Sequence, residues 1–184
     1  PAVAHYNTYG DKTGENGIWV HRQVAGAWKA TRVSTDLIGE QLGFAVGPDG
    51  RYALAYYDRE EAFLVYLESL DGETWSRTIV DDIGDTGRHP SLAFDGLGRP
   101  AIAYYHCSRR LDGVCGVDED GLMLARRIDD KWSSRAVHAE ASTVDGYYPA
   151  LTFAAGKAVI AFQTQAFDPR TSTSSYQLML ATEE

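Results

Sequence analysis

An internal repeat is the feature of this 184-residue sequence that most limits the folds it can adopt. Residues 91–106 read SLAFDGLGRPAIAYYH, and residues 43–58, which lie 48 positions earlier, read GFAVGPDGRYALAYYD. Residues 149–163, PALTFAAGKAVIAFQ, form an imperfect third copy, and residues 1–7, PAVAHYN, match the second half of the unit. Self-similarity at a fixed period is typical of proteins in which one structural unit recurs along the chain.

Each copy predicts short antiparallel strands. An apolar segment follows the repeated unit at 18–21, 63–67, 122–126 and 176–181, and in the first three copies a segment led by tryptophan comes next, at 28–34, 75–80 and 132–138. The segments are rich in β-branched or aromatic residues and separated by Gly, Asp, Asn or Pro, which indicates strands joined by turns. Four-stranded units in tandem are typical of a β-propeller, whose sheets, called blades, surround a central axis.

We therefore predict a single all-β domain over residues 1–184, a β-propeller segment of four-stranded antiparallel blades with fourteen strands in all. Two blades are complete, at 37–82 and 83–140, and two are incomplete, at 1–36 and 141–184. We expect the segment to belong to a longer propeller of about six to eight blades, within the range that such folds adopt, with the remaining blades from the same precursor or another chain. The alternative is a four-bladed ring that closes alone.

The turn before the second of the three repeat tryptophans carries a family resemblance. Residues 69–75, SLDGETW, resemble the Asp-box of sialidase-like propellers, Ser-x-Asp-x-Gly-x-Thr-Trp, with one residue fewer. The equivalents at 24–28 and 128–132 keep only the turn and the tryptophan. The chain thus resembles the sialidase-like, bacterial neuraminidase repeat proteins along its whole length. The resemblance implies a propeller fold and an architectural role for Asp71.

Net charge and hydropathy exclude two kinds of partner. The chain has 26 acidic and 17 basic residues, a formal charge of −9, which repels the phosphates of nucleic acids. It has no run of about 18 to 20 apolar residues that would cross a membrane. We expect neither nucleic-acid binding nor a membrane span.

The lengths of the connections point to one face of the propeller as a binding surface. The predicted long loops, 7–17, 106–121 and 163–175, lie on the same face as the links between blades, whereas the turns on the other face are short. Function tends to lie on loops held by a rigid scaffold. The predicted ligand-binding residues end strand two or precede strand one on this face: Asn7, Asp58, Arg88, His89, His106, Tyr147, Tyr148 and Gln163. Solvation of strand ends, and packing of the two tyrosines under a loop, are the alternatives.

One of these loops contains both cysteines. Cys107 and Cys115 are eight positions apart and fit a disulfide, which would imply an extracytoplasmic or secreted protein. Two cysteines and one adjacent histidine make a weak zinc motif. The acidic residues of the loop, Asp112 and 118–120, would suit calcium, although their spacing matches no known calcium loop. We predict no cofactor and no catalytic or metal-binding residues, with calcium as the exception to test.

These features favour a binding or scaffolding role, in which the loop-rich face recognises a glycan or a protein. The alternative implied by the resemblance is a sialidase-like glycoside hydrolase whose site is completed by further blades. Such enzymes combine an arginine cluster, a Tyr-Glu pair and an aspartic acid near the axis. Here only Arg88 and Asp58 occupy suitable positions.

Overall fold

The structure is a computed structural model that describes residues 1–8, 15–107, 110–111, 114–115, 120–140, 143–168 and 170–183. In these ranges every regular element is a strand. The sixteen strands are β1 (Ala2–Asn7), β2 (Gly17–Val24), β3 (Ala27–Ser34), β4 (Ile38–Val46), β5 (Tyr52–Asp58), β6 (Phe63–Ser69), β7 (Ser76–Asp81), β8 (Asp85–Phe94), β9 (Pro100–Cys107), β10 (Arg110–Leu111), β11 (Val114–Cys115), β12 (Asp120–Ile128), β13 (Lys131–His138), β14 (Thr143–Ala154), β15 (Lys157–Asp168) and β16 (Thr173–Thr182). The prediction of an all-β chain is confirmed.

Fourteen of these strands form four antiparallel sheets that follow one another along the chain. Sheet 1 contains β1–β3, sheet 2 contains β4–β7, sheet 3 contains β8, β9, β12 and β13, and sheet 4 contains β14–β16. In each sheet, strands adjacent in this order pair with each other. The two short strands β10 and β11 pair only with each other, within the predicted loop 106–121.

The apolar core lies between consecutive sheets. We call the face that each sheet turns toward the next one its front face, and the opposite face its back face. On the front face of sheet 2, Ala53, Ala55, Leu64 and Tyr66 pack against Leu92, Ile102, Tyr104 and Ala125 on the back of sheet 3. The core between sheets 3 and 4 and the core between sheets 1 and 2 are built in the same way. The alanines let the sheets approach closely, and the larger side chains fill the remaining space.

The turn at residues 69–75 is closed by side chains. The backbone N–H groups of Glu73 and Thr74 both donate to Asp71 Oδ1 over 2.8 Å, and Ser69 Oγ donates to the same oxygen over 3.0 Å. Trp75 packs into the core between sheets 1 and 2. Asp71 therefore has the architectural role predicted for it.

The first strands of sheets 3 and 4 begin earlier than the sequence suggested, and one predicted loop is wrong. β8 starts at Asp85 and β14 at Thr143, so the residues before the repeated unit are already paired. β15 continues to Asp168 and β16 starts at Thr173, so the proposed long loop 163–175 is mostly strand. Polar side chains at Gln163, Thr164 and Gln165 suggested a loop, but ten cross-strand pairs from Val159 to Asp168 keep them in a ladder.

In the described part of the chain, no helix is long and apolar enough to span a membrane.

Candidate functional site

Two equivalent irregularities in sheets 3 and 4 position the candidate site. Pairing between β8 and β9 shifts on both sides of Arg88, and pairing between β14 and β15 shifts on both sides of Tyr147. A glycine precedes each shifted residue and has a positive φ, 101° at Gly87 and 94° at Gly146. A β-bulge of this kind redirects the side chains that follow it.

Both glycines lie where no side chain fits. A Cβ atom on Gly87 would lie 2.6 Å from Leu64 of sheet 2, and one on Gly146 would lie 2.8 Å from Leu122 of sheet 3. Each glycine therefore lets its bulge lie close against the preceding sheet. This bulge is a repeated feature of the sheets.

The second residue after each glycine adopts a left-handed backbone conformation, with φ of 53° at His89 and 49° at Tyr148. Such a conformation costs a non-glycine residue about 1 to 3 kcal/mol, and residues held in it cluster at functional sites. The ring centroids of these two residues lie 4.4 Å apart. The strained positions of two sheets thus place an imidazole and a phenol side by side.

These rings belong to a cluster of four, which we call the aromatic cluster: Tyr105, Tyr147, Tyr148 and His89. The ring of Tyr147 stacks on that of Tyr105 at 4.8 Å with an interplanar angle of 13°, and it meets His89 edge to face at 5.7 Å. Tyr105 is buried, Tyr147 is half-buried and Tyr148 is 56% exposed. The cluster therefore extends from the core between sheets 3 and 4 to the surface.

Arg88 occupies in sheet 3 the position that Tyr147 occupies in sheet 4. Its guanidinium lies 5.3 Å from the centre of the Tyr57 ring, as Tyr147 lies over Tyr105. The same guanidinium donates to both oxygens of Asp85, over 3.1 Å and 2.7 Å. A bidentate pair of this kind is among the stronger charge-assisted contacts. Arg88 is therefore already paired with a carboxylate of its own chain.

Below the aromatic cluster lie two buried carboxyl groups, on Asp120 and Asp145. Burial raises the pKa of Asp120 to about 7, and the nearby charge of Asp145 raises it further. The Tyr105 hydroxyl donates a hydrogen bond to Asp120 Oδ2 over 3.1 Å and opposes this increase. Asp145 accepts a hydrogen bond of 2.7 Å from the backbone N–H of Glu140. Burial, and then the nearby Asp120, raises the pKa of Tyr105, which keeps its hydroxyl protonated as a donor.

His106 lies beside the Arg88 pair, and its backbone is paired with Thr86 of β8. Burial lowers the pKa of His106, against the opposing effect of the carboxylates of Asp81 and Asp85. The imidazole is therefore neutral near pH 7, and its Nδ1 has no hydrogen-bond partner among the described residues. This nitrogen is shielded from solvent.

The structure brings Arg88, His89, His106, Tyr147 and Tyr148 together at one end of sheets 3 and 4. Asp58 is instead buried at the end of β5, where it accepts bonds from the N–H groups of Glu60 and Glu61 and pairs with Arg77 over 2.9 Å. Asn7 pairs with Gly17 in sheet 1. Gln163 pairs with Tyr147, but it lies inside β15 and does not end the strand.

The sequence analysis did not assign Tyr105 or Asp145 to this site, and it considered Asp120 only as a calcium ligand. A signal for the bulge was present, because Gly39 and Gly87 stand four positions before their copies of the repeated unit and Gly146 stands three positions before its copy. Nothing in the repeat distinguishes Asp120, since the segment before it has no counterpart in the other copies. Its burial follows from pairing with Cys107 of β9.

The predicted disulfide and calcium sites fall largely outside the described residues. Cys107 is buried and is not a free thiol. The side chain of Cys115 lies outside the description, as do residues 112, 118 and 119, so the disulfide and calcium binding stay predictions. Among the residues whose side chains are described, no three His, Cys, Asp or Glu groups are arranged to hold a metal ion.

Two open grooves lie away from the aromatic cluster. One, of about 450 Å³, is on the short-turn side and is lined by Arg51, Glu68, Trp75 and Arg127 among others. Burial favours the neutral form of Glu68, but hydrogen bonds from Arg127 and Arg51 outweigh it and lower its pKa, so these cations are already paired. The other, of about 520 Å³, lies between sheets 1 and 2. Neither contains a comparable group of rings.

No protein-family model matches the chain, and no curated protein sequence is significantly similar to it. The structure is similar to that of a protein of unknown function from Dyadobacter fermentans DSM 18053, with a TM-score of 0.57, 10% identity and coverage of 99% of this chain and 49% of that one. It is also similar to the Hadza microbial sialidase Hz136, with a TM-score of 0.55, 15% identity and coverage of 90% and 42%. An endo-1,4-beta-xylanase from Bacteroides thetaiotaomicron, at 16% identity, 99% and 65% coverage and a TM-score of 0.48, is too distant to carry an argument.

These similarities concern the fold alone. The chain spans about half the length of the first two proteins that it matches. They support a sialidase-like arrangement of β-sheets, in agreement with the resemblance found in the sequence.

Proposed function

We propose that this chain is a segment of a β-propeller whose loop-rich face binds a glycan at the aromatic cluster. The observation that carries the proposal is the pair of strained residues, His89 and Tyr148, held side by side by equivalent bulges in consecutive sheets. Residues held in such a conformation are found preferentially at functional sites. A sugar ring commonly binds by laying its apolar face on an exposed aromatic ring, and Tyr148 offers such a ring.

The polar groups around the cluster suit a neutral ligand. Arg88 is paired with Asp85, and the imidazole of His106 is neutral, so neither side chain offers an unpaired positive charge to a ligand. Asp120 and Asp145 lie behind the rings and disfavour an anion. We therefore propose an uncharged glycan in preference to a sialic acid. An extracytoplasmic location, where such glycans are met, belongs to the same proposal.

Binding to a glycan array, followed by calorimetric titration of the best ligand, tests this function. Tyr148→Ala should weaken binding about tenfold, because an aromatic contact contributes about 0.5 to 1.5 kcal/mol beyond its buried area. Tyr148→Phe should keep most of the affinity if stacking is the main contact. Leu97→Ala is the matched control, an exposed apolar residue in the short turn at the opposite end of sheet 3.

Unchanged affinity of the Tyr148→Ala variant would contradict the proposed site. Binding to a protein and to no glycan would instead support a scaffolding role for this face. The Tyr148→Ala, Tyr148→Phe and Leu97→Ala variants should keep the wild-type melting temperature, which shows that any change in affinity is local.

The alternative function, hydrolysis of a sialoside, has less support. The bidentate pair with Asp85 occupies Arg88, the candidate partner for a substrate carboxylate, and Asp58 is buried in a turn. Asp120 has the raised pKa of a general acid, but its side chain is 8% exposed and lies beneath the rings. Release of a chromogenic group from a sialoside by the isolated chain would revive this alternative.

A further inference from the structure

The front faces of all four sheets carry the same pattern of apolar residues. In sheets 2 and 3 the pattern consists of two alanines on the second strand and two large residues on the third, for example Ala101, Ala103, Leu122 and Leu124 in sheet 3. Each of these faces is buried by the back of the following sheet. In sheet 1, Ala4, Ile18 and Val20 pack against sheet 2 in the same way.

Sheet 4 carries this pattern on a face that none of the described residues of another sheet covers. Ladder register places Val159, Ala161, Leu178 and Leu180 at the positions of Ala101, Ala103, Leu122 and Leu124. Leu178 is 82% exposed and Leu180 is 68% exposed, whereas their counterparts in sheet 3 are fully buried. An apolar face of this kind marks an interaction site.

The back of sheet 1 is open in the complementary way. Trp75 of sheet 2 and Trp132 of sheet 3 both pack back into the core shared with the preceding sheet, and Trp132 meets Tyr66 at 5.0 Å. Trp28 is the equivalent residue of sheet 1 and is 57% exposed. Leu180 of sheet 4 is the equivalent of Tyr66, so Trp28 is the residue expected to cover Leu180.

We infer that a second copy of this chain packs on it head to tail, with the front of sheet 4 against the back of sheet 1 of the other copy. Two such contacts, related by a two-fold axis, close a ring of eight sheets. The contact continues the stacking already present between sheets 1 and 2, 2 and 3, and 3 and 4. It is independent of any ligand at the aromatic cluster.

The charges at the open faces favour this occupant. At the existing interfaces a charge on the third strand of one sheet is met by an opposite charge from the next: Glu68 pairs with Arg127, and Arg126 pairs with Glu183. On the open face of sheet 4, Thr182 occupies the ladder position of Glu68 and Arg126. On the open face of sheet 1, Gln23 occupies the position of Arg127. Both residues are neutral. A second copy would therefore bury no unpaired charge at this position.

Sedimentation equilibrium of the chain across a dilution series tests the inference. We expect a species of twice the 20.2 kDa chain mass that dissociates to monomer on dilution. A monomer throughout the series, or polymers larger than the pair, would overturn it.

Charge variants test where the contact lies. Leu180→Asp should weaken the pair about a hundredfold or more, because a carboxylate would face Trp28 without a partner. Trp28→Arg should weaken the pair in the same way. An equimolar mixture of the two variants should restore association. In a pair with one copy of each variant, one contact is the wild-type contact and the other places the introduced Asp opposite the introduced Arg. Leu97→Asp is the control, exposed and outside both faces.

All these positions are exposed in the single chain, so at dilutions where every protein is monomeric the melting temperatures should be the same. A pair that survives Leu180→Asp, or variants that do not restore each other, would overturn the head-to-tail contact. Neither result would bear on glycan binding at Tyr148.

Discussion

Replacing Asp120 by Asn should change how the stability of the protein depends on pH. The Asp120 carboxyl is buried, and its pKa is raised to about 7, chiefly by burial and further by the charge of Asp145. Its pKa in the unfolded chain is about 3.9. Between these values the native state holds a proton that the unfolded state releases, so stability falls as pH rises from about 4 to about 7.

The size of this effect follows from the two pKa values. Proton binding at Asp120 favours the native state by about 2 to 3 kcal/mol at pH 5 and by almost nothing at pH 8. Asn cannot ionise, and its carbonyl oxygen can still accept the hydrogen bond from Tyr105. The advantage of the variant over wild type should therefore be larger at pH 8 than at pH 5.

Urea denaturation at a series of pH values between 5 and 8 measures this difference. The gap in unfolding free energy between Asp120→Asn and wild type should grow by about 2 to 3 kcal/mol across that range. Asp82→Asn, at an exposed position, is the control for a lost carboxylate. Parallel curves for wild type and Asp120→Asn would show that Asp120 does not titrate abnormally and that the carboxyl group is not buried as described.

Three further predictions concern packing, the turn and the bulge. Trp132→Ala should lower the unfolding free energy by about 2 to 4 kcal/mol, because it opens a cavity beside Tyr66, and urea denaturation measures it. Asp71→Ala should lower the melting temperature, whereas Asp71→Asn should lower it less because the amide oxygen can still accept backbone hydrogen bonds. Gly146→Ala should cost about 1 to 3 kcal/mol, since its φ is positive and its Cβ would meet Leu122, and it should also abolish glycan binding in titration.

The sheets could be predicted from the sequence because their pattern is repeated. The alternation of small and large apolar residues in segments such as 53–57 and 101–105 specifies both the strand and the face that the next sheet covers. Every predicted strand is present. The propeller arrangement and the number of blades stay predictions.

The candidate site could be predicted only in part, because it depends on departures from the repeat. The sequence singled out Arg88, His89, Tyr147 and Tyr148 by their matching positions, but not the bulges that turn them toward one another. Bulges are set by long-range packing, here of Gly87 and Gly146 against neighbouring sheets. The length of β15 was missed for a related reason, since polar residues remain in a strand when a long partner pairs with them.

Chemical-shift mapping of the chain during titration with its best glycan ligand tests the proposed function most directly. The largest amide shifts should occur at His89, His106 and residues 146–148, with no change at the short turns around Asp71 and Leu97. Shifts confined to the groove of Arg51 and Arg127, at the opposite end of the sheets, would contradict the proposal.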